Sequence, residues 1–322
     1  MMQQPFLLGV NYPWSHYAED FGATAGGHRG LSLPENATEV SENFARIRDC
    51  GARVVRWFLF GDGRGGFTAE KGIPRRPDEF LFRDVGAALE LARRFDLQLC
   101  FSLIDYLWLQ DRTGKPAAHA NEQVLQFAAG REAFLQRILI PMFQEFRGHR
   151  ALFAWEIANE PEWAIREFDR HAQAKMHFAD FRCFAEELVQ AVREYAGVPV
   201  TLGSARLDWV RAWAELGLDF YQAHYYPKHD SGRRSGLAKH LAALPALDKP
   251  LWLGELPAHD ETSPSYALES SLTHCSEAGL LGAAVWRWTP PEKTGTDQHL
   301  GRVDPDVLSA WNSAERSHRA SA

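Results

Sequence analysis

Long apolar runs are missing from this 322-residue chain: none approaches the roughly 20 residues that a membrane-spanning helix needs. The opening MMQQPFLLGVNYPW has no basic stretch ahead of an apolar one. No export signal is therefore expected, and a cytoplasmic location is. On that expectation the sequon at Asn36 carries no meaning. Cysteine is scarce. Cys50, Cys100, Cys183 and Cys275 lie far apart in sequence with no C-x-x-C, which argues against a disulfide scaffold and predicts buried free thiols. Positive charge is in deficit, 35 Lys and Arg against 42 Asp and Glu, so neither a nucleic-acid nor an acidic-membrane partner is expected. Low-complexity tracts and Pro/Ser-rich linkers are absent too, which leaves one domain. The glycine-rich GDGRGG at 61–66 has neither the G-x-G-x-x-G spacing nor the lysine of a phosphate-binding loop. It reads as a mobile loop, and it counts against an open Rossmann-like sheet.

Tryptophan is abundant, with 11 residues, so either the core is aromatic or a groove uses indole faces. Eight short apolar runs punctuate the chain, at 6–14, 52–60, 97–105, 152–160, 198–206, 218–227, 250–257 and 282–290. Between them the period becomes helical. Val40, Phe44 and Ile47 form one stripe, Val85, Ala88, Leu89 and Ala92 a second, and Phe184, Leu188, Val192 and Tyr195 a third. Gly51, Gly197 and Gly279 stand where such helices would end. Apolar strands interleaved with one-faced helices predict a parallel sheet covered by helices. Eight units in this length predict a single-domain (β/α)8 TIM barrel over 1–322, with a last helix near 305–316 and a frayed tail at about 317–322.

In such a barrel the site lies at the C-terminal ends of the strands. Those ends carry Asn11, Tyr12 and Trp14, then Arg56 to Phe60, then Asp105, Tyr106 and Trp108. Asn159 and Glu160 follow, then His224, Tyr225 and Tyr226, then Glu255, then Trp286 and Trp288. Acids and aromatics thus close runs that are otherwise apolar. The fourth and seventh strands each finish in a glutamate, and these strands face each other across the mouth. Two opposed carboxyl groups can break a glycosidic bond when one is protonated and the other ionised. Arg56 beside Glu255 would hold that carboxylate ionised. Trp155 and Trp163, flanking Glu160, would desolvate it and keep its proton. The retaining geometry requires the two carboxyl groups to be roughly 5–5.5 Å apart.

The motifs IANEP at 157–161 and WLGELP at 252–257 resemble the strand-four and strand-seven signatures of the clan A retaining glycoside hydrolases, family 5 above all. The resemblance implies Glu160 as acid/base, Glu255 as nucleophile and Asn159 as the ligand of the sugar 2-hydroxyl. It also implies Arg56 as support for the nucleophile, and HYY as the family's H-x-Y, with His224 lining the site and Tyr226 bonding Glu255. Trp286 would be the floor under the attacked sugar. One departure is at the end of strand three, where the family often has histidine and this chain has Asp105.

Other readings stand beside these. Glu156 reads as an interior structural acid and Glu162 as solvent-facing. Arg56 also fits a plain core ion pair. Trp57, Trp155, Trp252 and Trp288 read as core, and Trp108, Trp163 and Trp286 as sugar platforms. His224 and His229 have a spacing that suits no metal site, so no metal and no cofactor are expected. The expected activity is retaining hydrolysis of short β-mannosides or β-glucosides. A sugar-binding barrel without catalysis, a metal-dependent sugar isomerase and a transglycosylase remain alternatives. The segments 106–128 and 289–304 are candidates to close one end of the cleft. Sugar, linkage and oligomeric state are not legible.

Overall fold

The computed structural model describes residues 5–108, 124–125, 127–168, 176–230, 236–263, 265–289 and 300–321. Eight parallel strands close into a barrel in chain order: β1 (Leu7–Asn11), β2 (Val54–Phe58), β3 (Gln98–Asp105), β4 (Leu152–Asn159), β5 (Val200–Ser204), β6 (Tyr221–His224), β7 (Leu251–Pro257) and β8 (Gly282–Trp286). β8 pairs with β1 to complete the ring, Leu7 opposite Gly282. The eight predicted runs are these eight strands, each trimmed at its ends by turns.

Side chains alternate across a strand, so every second residue points into the barrel. The bottom layer is apolar: Val54, Cys100, Ala154, Phe220, Trp252 and Ala284 pack together. Two residues further along, β2, β4 and β6 carry Arg56, Glu156 and Gln222, all at most 1% exposed. A polar layer therefore sits on an apolar plug, directly beneath the mouth. The outward residues meet the helices. α1 (Pro34–Asp49) buries Val40, Phe44 and Ile47, and α2 (Leu81–Arg94) buries Val85, Ala88, Leu89 and Ala92. Trp155 lies in this outer layer against Phe101 and Phe143. Those aromatics hold it away from the mouth, so it does not flank Glu160 as expected.

Some expectations are corrected. The fifth unit has a 3-10 helix, Leu207–Trp213, where a full helix was expected. Two small antiparallel hairpins, pairing Ala23–Thr24 with Gly27–His28 and Phe67–Glu70 with Ile73–Pro77, were not foreseen. They have too few residues for a periodic pattern to show. The last helix continues through Ser321, past the expected fraying point. Cys50, Cys100 and Cys275 are buried free thiols, but Cys183 is exposed, because it lies off the apolar stripe of its helix. No helix among the described residues is long and apolar enough to cross a membrane.

Candidate active site

Arg56 organises the mouth. It is fully buried at the middle of β2, and its five N–H groups meet five oxygen contacts. Nε and Nη2 grip the two oxygens of Glu156, both at 2.6 Å. Nη1 reaches Glu255 Oε1 at 2.6 Å and Asn11 Oδ1 at 2.9 Å. Nη2 also reaches Asn159 Oδ1 at 2.7 Å. Burial works against the guanidinium charge, but Glu156 and Glu255 outweigh it and hold Arg56 above its ordinary range. Glu156 is thus the interior structural acid the sequence suggested, and it also accepts from Ser102 and Gln222. Glycine at 203 makes room for this layer: a Cβ there would stand 2.5 Å from Glu156 Oε1.

Glu255 reaches the mouth through an irregularity. The β7–β8 register shifts between Leu253 and Leu256, and the β6–β7 register shifts to set His224 opposite Glu255. Bulges re-aim side chains in this way beside functional sites. The Tyr226 hydroxyl donates to Glu255 Oε2 at 2.5 Å, so each carboxyl oxygen has a donor. Burial, then the Glu255 charge, push the Tyr226 phenol well above its usual range, which keeps it a donor. Burial also pushes Glu255 itself upward, against the pull of His224, Arg56 and Tyr226. The sequence reading foresaw the pull of Arg56 and the Tyr226 bond but not that opposing effect of desolvation.

Glu160 follows β4 in the left-handed region, at φ 48°, where a non-glycine residue is uncommon and points to a functional constraint. Its backbone N–H donates to Gly203 O at 2.7 Å, tying the turn to β5. Trp163 Nε1 donates to Glu160 Oε2 at 3.0 Å, and His224 Nδ1 lies 2.8 Å from Oε1. Burial drives the His224 imidazole down to about 4, so it is neutral near pH 7. Glu160, His224 and Glu255 each bring one atom into a group whose members all lie within 4.8 Å of one another. Three such atoms have metal-ligand character, but Arg56 already holds Glu255 there, and its buried charge opposes a second cation. His229 is not a member of this group and packs against Trp163 and Tyr226.

Asp105 ends β3 opposite Asn159 in the β3–β4 ladder. Burial pushes its carboxyl up to about 7, while the Leu107 N–H and Asn159 pull it back. Trp286 ends β8 at 8% exposure and packs with Phe58 and Leu300, flanked by Trp14 and Tyr226. Its peptide to Arg287 is cis. The structure therefore gathers Arg56, Asn159, Glu160, His224, Tyr226 and Glu255 into one bonded group, with Asp105 bonded to Asn159 and Trp286 beside Tyr226.

Trp108 is a correction. It is 1% exposed, packs against Phe60, Phe67 and Phe134, and donates from Nε1 to Gly61 O at 2.8 Å. Its place at a strand end suggested a platform, but the chain turns it down onto the aromatic layer below. Glu162 is a second correction. It is fully buried, accepting from Trp213 Nε1 at 2.7 Å, Ser204 Oγ at 2.5 Å and Ala205 N at 3.1 Å. The turn after Pro161 carries it inward, where it anchors the segment that bears Glu160. Gln222 and Ser102 were missed by the sequence reading. A lone amide in an apolar strand, two residues before His224 and so on the same face, was the available signal for Gln222. Of the two segments proposed to close the cleft, residues 109–123, 126 and 290–299 lie outside the described residues.

No family model matches the chain. A mannan endo-1,4-β-mannosidase from Mytilus edulis is 26% identical over 336 residues, covering 92% of this chain and 86% of the relative. Another from Cryptopygus antarcticus is 20% identical over 325 residues, covering 89% and 81%. Among solved structures, the β-mannanase of Mytilus edulis superposes with a TM-score of 0.76 at 21% identity, over 97% of this chain and 92% of that one. An exo-β-1,4-mannosidase from an Opitutaceae bacterium gives 0.64 at 15% identity, over 98% and 60%. In its barrel and in its sequence relatives, the chain resembles the clan A glycoside hydrolases of family 5.

Proposed function

We propose that this chain hydrolyses β-mannosidic bonds with retention of anomeric configuration, through a covalent intermediate on Glu255. The observation that carries the reading is the opposed pair: Glu160 and Glu255 bring carboxyl oxygens within 4.8 Å of each other over the barrel mouth. That closeness fits the roughly 5–5.5 Å separation of retaining enzymes better than the wider inverting gap, which must admit a water. In the first step a Glu255 oxygen attacks the anomeric carbon while Glu160 gives its proton to the departing oxygen. In the second step Glu160 takes a proton from water, whose oxygen attacks the same carbon and releases Glu255.

The two acids differ in their surroundings, as such a division requires. Arg56 and Tyr226 each occupy one oxygen of Glu255 and spread its charge. Glu160 instead meets the Trp163 indole N–H and the neutral His224 imidazole. Asn159, beside both acids, has an amide N–H available to the sugar's 2-hydroxyl, and Trp286 offers an indole face as the floor of the site. Mannose rather than glucose is favoured because the sequence relatives above are named for mannan cleavage.

A panel of aryl β-mannosides, aryl β-glucosides and β-1,4-linked manno-oligosaccharides tests the reading. Turnover should be greatest on the manno series, with the β-anomer as first product by proton NMR. An α-anomer as first product, or no turnover of any member, would overturn it.

A further inference from the structure

The two-carboxylate chemistry does not require Asp105, yet its carboxyl group is set at the same mouth. Oδ1 accepts from the Leu107 N–H at 2.9 Å and Oδ2 accepts from Asn159 Nδ2 at 2.7 Å. A carboxylate has about four acceptor positions, so two remain beyond these contacts. Asn159 is pinned in turn. Its Oδ1 faces Arg56 Nη2 at 2.7 Å and one of its N–H groups faces Asp105. Reversing the amide would set its NH2 against a guanidinium and its oxygen against a carboxyl group, so one orientation is fixed. The second N–H of Asn159 makes no hydrogen bond among the described residues. Asn159 is 5% exposed and Asp105 8%, so neither is fully sealed.

Arg56 ties this pair to the nucleophile: Nη2 holds Asn159 while Nη1 holds Glu255. When Glu255 attacks an anomeric carbon, the hydroxyl on the adjoining ring carbon comes to lie beside the nucleophile. Asn159 is held by the guanidinium that also holds Glu255, and it carries the Asp105 carboxyl group beside it, so both are placed to meet that hydroxyl.

We infer that Asp105 is a specificity-determining residue that, with Asn159, reads the sugar 2-hydroxyl from both ends. Asn159 donates to the hydroxyl oxygen and Asp105 accepts the hydroxyl proton. The inference rests on the hydrolase reading above and adds a second recognition group to it. A sugar lacking this hydroxyl leaves both groups without their partner, a loss that a site built for hydrogen bonding penalises strongly.

The test compares kcat/KM for wild type, Asp105→Ala and Asp105→Asn on an aryl β-mannoside and on the matching aryl 2-deoxy-β-arabino-hexopyranoside. Each variant is expressed relative to wild type on the same substrate, which cancels the intrinsic reactivity of the 2-deoxy sugar. Asp105→Ala should lose about 10- to 100-fold on the mannoside and far less on the 2-deoxy compound. Asp105→Asn, which keeps the shape, should show the same substrate-dependent loss in smaller degree, and it serves if the alanine variant does not fold. An equal loss on both substrates, or no loss on either, overturns the inference while leaving the hydrolase reading intact. No turnover of either substrate by wild type, with the manno-oligosaccharides also inert, overturns both.

Discussion

Arg56 Nη1 lies 2.6 Å from Glu255 Oε1, and the same guanidinium closes a two-point bond on Glu156 beneath it. The candidate nucleophile is therefore held by the residue that satisfies the barrel's buried acid. Stability and activity should be inseparable at this position.

Arg56→Lys tests that coupling. A lysine has three donors on one nitrogen and cannot serve Glu156, Asn159, Asn11 and Glu255 together. Losing the two-point bond on Glu156 and leaving buried acceptors of this layer without donors should cost about 3–5 kcal/mol of unfolding free energy, read by denaturant titration. Activity should fall to background. A variant of wild-type stability would show that the guanidinium's several donors are not the keystone of this layer.

Glu160→Ala should act selectively. Substrates whose leaving group needs protonation should slow by orders of magnitude, while dinitrophenyl glycosides, which leave unaided, should still form the intermediate. Added azide should then restore turnover and yield a β-glycosyl azide. An equal slowing for every leaving group would remove Glu160 from the acid role.

Trp286 and Trp108 should separate under alanine substitution. Trp286 borders the mouth with Phe58 and Tyr226, so its loss should lower kcat/KM by about 10-fold or more, as befits an indole face in a binding site. Trp108 lies inside an aromatic cluster, and its loss should cost about 3–5 kcal/mol of stability. Denaturation curves and substrate kinetics on both variants check the pair. A stable Trp108→Ala with poor kinetics would reverse the assignment.

Asp20 should shape stability against pH. It is buried, accepts from the Ser15 and His16 N–H groups and from Trp57 Nε1, and burial pushes its carboxyl up to about 6. The folded chain then keeps this proton up to about pH 6, whereas an unfolded aspartate releases it near about 3.9. The native state binds more protons between those values, so this group's contribution to stability falls as pH rises through that window. In Asp20→Asn the decline of Tm between about pH 4 and pH 6 should be shallower than in wild type. An unchanged slope would mean that Asp20 is ionised throughout.

The barrel was legible because each strand is a compact apolar run and each major helix has one apolar stripe, so period alone separates them. The two glutamates were legible because they end opposing runs. Burial of the side chains beyond the strand ends was not. Glu162 and Trp108 each follow a strand end by a few residues, and whether a turn sends such a residue up to the mouth or down to the core depends on partners distant in sequence. Trp213 and Ser204 draw Glu162 in; Phe60, Phe67 and Phe134 draw in Trp108. Gln222 escaped notice for the opposite reason, since one amide in a strand looks incidental until Glu156 is opposite it.

Trapping the intermediate tests the central claim most directly. A 2-deoxy-2-fluoro β-mannosyl fluoride should inactivate the protein with addition of one fluorosugar mass, and peptide mapping should place it on Glu255. Inactivation with the label on another residue, or steady turnover with no adduct at all, would contradict the assignment of Glu255 as the attacking group.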